Sequence, residues 1–143
     1  MVGFLVAVLS GILMSLQGVF NTEVTKQSSL WTTALFVHFT GMLVCIFAWL
    51  FTDRTSLARL FAVRPGYLLT GGLLGAFITY TVVVSMGKMG PALAVMFIVT
   101  AQLISAYLIE LFGLFGTEKQ PLDVRKLVGM AIAVAGVIIF KWK

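Results

Sequence analysis

The sequence predicts an all-α integral membrane protein with five transmembrane helices, and three observations carry that prediction. Of the 143 residues, 60% are hydrophobic and only 10% are charged, where a soluble domain carries about 25% charged residues. The mean hydropathy is +1.08. The apolar residues gather into five runs, at about 2–22, 30–51, 67–87, 90–113 and 124–142, each close to the ~20 residues that cross a hydrocarbon core as a helix. Within lipid, a helix satisfies every backbone polar group inside its own segment. The expectation is a single five-helix transmembrane domain over residues 1–143.

The first run has no basic region before it and is too long for a signal-peptide core. Gly3, Ala7, Gly11 and Gly18 give it a small-residue face, which allows close helix approach. Ser10, Met14, Gln17 and Asn21 follow one another on an adjoining face. Glu23 and Lys26 are expected to open a polar loop that ends near Ser29.

The second run is bracketed by Trp31 and Trp49, as expected of aromatic belts at the two interfaces. His38 lies about 12 Å into it at 1.5 Å per residue, near the middle of a ~30 Å core. It is either a neutral imidazole bonded to a neighbouring helix or a proton- or ligand-handling group, which its near-neutral reference pKa permits. Residues 52–66 carry Arg54, Arg59 and Arg64 between Leu57, Leu60, Phe61 and Val63. That mixture suggests an amphipathic segment on the membrane surface.

The third run repeats small residues at Gly71, Gly75 and Thr79 and carries Tyr80, whose hydroxyl needs a partner if buried. The fourth opens on Gly90-Pro91, and proline suits a first helical turn because its missing N–H has no partner there. Gln102 sits near its centre and Glu110 one turn before its end. An unpaired amide in hydrocarbon is costly and a carboxylate costlier, so such groups usually face a bundle interior or a water-filled cavity. The alternatives are an interhelical hydrogen bond for Gln102, and for Glu110 reach to the headgroups or an ion pair with a loop base such as Arg125 or Lys126. The fifth run has about 14 fully apolar residues and spans only with Val124 and the terminal Lys141-Trp142-Lys143 as anchors. Gly129, Ala133 and Gly136 give it a small-residue face suited to helix packing and to a dimer contact.

Several function classes drop out. The formal charge is +5, but the basic residues lie between apolar runs, so nucleic acid is not an expected partner. His38 is the only histidine and Cys45 the only cysteine, which leaves no metal-ligand spacing, no cofactor motif and no catalytic set. No enzyme is expected. Gln17, His38, Tyr80 and Gln102 come from four runs and fall at similar depth by helix rise. With Asn21 and Glu110 they form a candidate substrate cavity; a hydrogen-bonded core would look the same. With five spans, six of the ten Lys and Arg residues lie on the N-terminal side. The positive-inside rule then favours a cytoplasmic N-terminus, though with a weak bias that permits dual topology.

An ordered set of stretches resembles a known family. It runs through Gly11 to Asn21 (GILMSLQGVFN), His38-Phe-Thr-Gly41, Gly71-Gly72-Leu-Leu-Gly75, Gly90-Pro91 to Ala101-Gln102-Leu, Glu110 to Gly116 (ELFGLFG) and Arg125 to Gly129 (RKLVG). Together they resemble the YdcZ-type family of the drug/metabolite transporter superfamily, over essentially the whole chain. In that family the fourth helix usually ends in Asp where this chain has Glu110. The resemblance implies a five-helix half-transporter of the inner membrane, whose inverted repeat is completed by dimerisation, antiparallel or with a paralogue. It does not carry over the proton exchange of the four-helix drug-resistance branch, because Gln17 stands nearest to that branch's first-helix Glu. The function expected is secondary transport, as an exporter of a small polar or cationic metabolite or drug by alternating access. The competing expectation is a membrane partner or scaffold without transport activity of its own.

Overall fold

The computed structural model describes residues 1–142, and among these it is helical with no strand. Five α-helices follow in order: α1 Val2–Gln27, α2 Leu30–Ala48, α3 Gly71–Met89, α4 Pro91–Phe112 and α5 Val124–Lys141. The chain divides into two compact units, Met1–Gly87 and Lys88–Lys143.

In the first unit, α1 runs five residues past the apolar stretch. Glu23 and Lys26 therefore lie on a helix and do not open a loop, which corrects the expectation from polarity. They face each other at i,i+3 with Nζ and Oε1 2.6 Å apart, a spacing that brings side chains together on one helix face. The turn into α2 is built from hydroxyls. Ser29 caps α2 by accepting from the Thr32 N–H at 3.2 Å, one of the donors a helix start leaves unpaired. Thr33, only 2% exposed, accepts from the Thr25 hydroxyl at 3.0 Å and donates to the Ser29 carbonyl at 2.9 Å. These bonds hold α1 against α2 at one end.

The chain continues beyond α2 as a π turn, Trp49–Asp53. Arg54 ends it in the left-handed region at φ 51°, with its Nε donating to the Leu50 carbonyl at 2.7 Å. Short 3₁₀ turns follow at Leu57–Ala62 and Gly66–Thr70. Leu57, Leu60 and Phe61 are all exposed there. Against α2, α3 places Tyr80 on Trp31, ring centroids 5.3 Å apart, and Gly75 beside His38. Against α1 it places Met86 and Val82 over Gly18. Gly18 is the buried glycine of the α1 small-residue face, while a side chain at Gly3 or Gly11 would meet nothing within 4 Å.

In the second unit, Gly90 at φ 83° precedes Pro91 at the start of α4, and Gly113 at φ 64° ends it. A Cβ at Gly113 would stand 3.1 Å from the Lys119 Cβ, so glycine is required for both conformation and space. Asp123 caps α5, accepting from the Arg125 N–H at 2.8 Å, and its charge is well placed at a helix N-terminus. Among the described residues four helical segments are long and apolar enough to cross a membrane: Val2–Gln27, Leu30–Asp53, Gly66–Met89 and Pro91–Phe112. Within its 18 residues α5 carries Arg125, Lys126 and Lys141 and is not among them.

Candidate functional site

Gln17 and Asn21 lie four residues apart on α1, hence one above the other on a single helix face. They open on a groove of about 460 Å³ between α1 and α2, across from Val37, Thr40, Gly41 and Val44. The depth follows from helix rise. Gln17 is ten residues from the end of α1 and Thr40 ten from the start of α2, so both stand about 15 Å from the connecting turn. That is half of a ~30 Å hydrocarbon core.

Asn21 is the most informative residue here. It is 8% exposed, yet its carboxamide makes no hydrogen bond among the described residues. None of its polar atoms is sealed away without a partner. Asn21 is one of the residues that line the groove, and its amide atoms keep accessible surface. Gln17 has no side-chain bond among these residues either. The Thr40 hydroxyl donates to the Phe36 and Val37 carbonyls at 3.0 Å, which leaves its oxygen able to accept. No charged side chain among the described residues lines this groove.

His38 and Tyr80 share the unit but not the groove lining. The His38 imidazole packs where a Cβ of Gly75 would lie 3.5 Å from its Cε1, and no interhelical hydrogen bond to it is present among the described residues. The ring of Tyr80 rests on Trp31 while the residue stays 38% exposed.

The second unit holds a different constellation. Glu110 pairs with Lys126, Nζ to Oε2 3.2 Å, both side chains about half exposed. This is the ion pair that the sequence leaves open as an alternative for Glu110. Tyr107 stands one turn before Glu110 and is 6% exposed. Its hydroxyl accepts from the Asp123 backbone N–H at 3.0 Å, and Lys126 Nζ lies 5.6 Å from its ring centroid. Tyr107 thus ties the cap of α5 to α4, with a cation over its face. An apolar pocket of about 470 Å³ opens beside the pair, with Gly129 in its lining. Gln102 is exposed on α4 with no side-chain bond among the described residues. Ala133 and Gly136 are half-buried, and a Cβ at Gly129 or Gly136 would meet nothing within 4 Å.

The sequence does not single out Tyr107 or Thr40, and it offers Lys126 only as one of two alternative bases for Glu110. The i,i+3 spacing of Tyr107 and Glu110 marks a shared face, but nothing local indicates that Asp123 and Lys126 return to it. Among the described residues no group of His, Cys, Asp or Glu could hold a metal ion.

Several apolar helices of membrane-crossing length in one chain define a multi-pass membrane protein. The chain belongs to the YdcZ family, described as "Putative inner membrane exporter, YdcZ", whose profile matches residues 2–139. This is a transporter family and not an enzyme family. No curated protein and no solved structure gives a significant match.

Proposed function

We propose that the chain is one half of a secondary transporter that exports a small polar or cationic solute by alternating access, working as a dimer in the inner membrane. The observation that carries this reading is the α1–α2 groove, where unpaired polar side chains reach open space at mid-membrane depth. In hydrocarbon such groups need water, a solute or another polar partner, and midplane sites at repeat interfaces are the common design of secondary transporters.

The dimer reading is supported by surface. Phe4, Leu35, Phe36, Leu73, Ile132 and Ile139 are all more than 60% exposed, which leaves apolar faces for lipid and for a second copy. Gly129, Ala133 and Gly136 on α5 are the proposed packing face, with α5 as a fifth span anchored by its end charges. Gln102 and His38 are proposed to join the solute path in the assembled transporter. The N-terminus is proposed to be cytoplasmic in the parallel case, and the six-to-four division of basic residues is weak enough to permit an antiparallel pair.

Proteoliposomes loaded with a panel of uncharged, cationic and zwitterionic solutes test the reading. Faster release of at least one solute than from empty liposomes, saturable in that solute, is the expected result. Retention of every solute as in empty liposomes would refute transport and leave the scaffold role.

A further inference from the structure

We infer that the α1–α2 groove is a binding site for an uncharged solute carrying adjacent hydrogen-bond donors and acceptors, such as a carboxamide or a polyol, and not for a cation. The inference rests on the transport reading for its biological role, but the site itself is argued from the groove.

The lining supplies both halves of a neutral hydrogen-bond code. Each of the Gln17 and Asn21 amides offers one carbonyl acceptor and two N–H donors, and Thr40 offers an acceptor lone pair. Two amides at i,i+4 stand about 6 Å apart along the helix axis, which suits a solute with two polar groups rather than one point charge. The remaining lining includes Leu13, Leu16 and Val44. An ion against such a wall gives up part of its hydration and finds no countercharge. A neutral donor–acceptor pair exchanges water for the amides and keeps its bonds. Asn21 is the decisive residue, since its side chain is largely buried yet its amide keeps its donors and acceptor free for a matched ligand. Gly41 leaves room opposite, with nothing within 4 Å of a Cβ there. The carboxylate of the other unit that would suit a cation, Glu110, is already occupied by Lys126.

Saturation-transfer NMR on the purified protein in detergent tests the site, with nicotinamide and mannitol as uncharged probes and tetramethylammonium as the charged comparison. The expected result is saturable transfer to at least one uncharged probe, not displaced by tetramethylammonium. Asn21→Leu should weaken it at least tenfold. Gly41→Leu fills the groove without entering the packed turn and should do the same, which covers the case in which Asn21→Leu fails to fold. Absence of transfer to both uncharged probes, transfer unchanged in a folded variant, or transfer only to tetramethylammonium would each overturn the inference. Vesicle release separates the two readings. Solute release that survives in Gly41→Leu retains transport and removes this site. Binding that depends on Asn21 without release of any solute retains the site and removes transport.

Discussion

Gly18 is where the packing of the first unit is most exposed to a single added carbon. A Cβ there would lie 2.5 Å from Met86 Cε, 2.8 Å from Met86 Sδ and 3.2 Å from Val82 Cγ1. Ordinary carbon contacts are about 3.5–4.0 Å, so the end of Met86 must withdraw by roughly 1 Å. Met86 is 3% exposed and has little free space, but its side chain is flexible. Overpacking of this kind costs about 1–3 kcal/mol, against about 0.8–1.0 kcal/mol gained when Ala replaces Gly inside a helix. Gly18→Ala should therefore be neutral to about 2 kcal/mol destabilising. In a Met86→Ala background the two shortest contacts are gone, and only Val82 Cγ1 at 3.2 Å has to yield by a few tenths of an ångström. The same Gly18→Ala change should then stabilise by about 1 kcal/mol, giving a coupling of about 1–3 kcal/mol between the two positions. The assay is a double-mutant cycle on denaturant unfolding of the purified protein in detergent. Equal effects of Gly18→Ala in both backgrounds would refute the Gly18–Met86 contact and the α1–α3 packing derived from it.

Other substitutions probe the second unit and the turn. Gly113→Ala forces a side chain into left-handed backbone, a cost of about 1–2 kcal/mol, and should lower the melting temperature clearly; an unchanged melt would contradict the α4 cap. Tyr107→Phe removes the bond to the Asp123 N–H and should cost about 1 kcal/mol, seen as faster amide exchange at the start of α5. Glu110→Gln breaks a half-exposed ion pair and should change stability by less than about 1 kcal/mol. Measured beside it, unchanged release per folded molecule would take Glu110 out of the transport path. Gly136→Leu should reduce dimer crosslinking in bilayers, and wild-type crosslinking would move the interface away from α5.

The first four helices were legible because each rests on a local signal that bilayer physics makes strong. The apolar runs, the Gly90-Pro91 start and the Gly113 stop all lie close to where the helices begin and end. Polarity misled at Glu23 and Lys26, since it does not distinguish a loop from a helix turn held by its own i,i+3 pair. The pairing of Gln17 with Asn21 was legible from their four-residue spacing. Their separation from His38 was not, because run periodicity does not say which face of α2 meets α1. Tyr107 lay hidden for a related reason: the bond from Asp123 to Tyr107 joins residues 16 apart in sequence. Such a closure depends on where α5 docks, which no local pattern encodes.

Access to the groove from water is the claim on which the rest depends. The direct measurement places one cysteine at Gly41 in a Cys45→Ser background and adds a membrane-impermeant polar thiol reagent to either side of sealed membrane vesicles. A matching variant at Phe36, exposed on α2 but outside the groove lining, serves as the lipid-facing control. Modification of Gly41→Cys from both sides, slowed by a bound solute and absent at Phe36→Cys, is the result expected of an alternating-access site. Equal inertness at the two positions would mean that lipid or protein fills the groove, and would contradict the account.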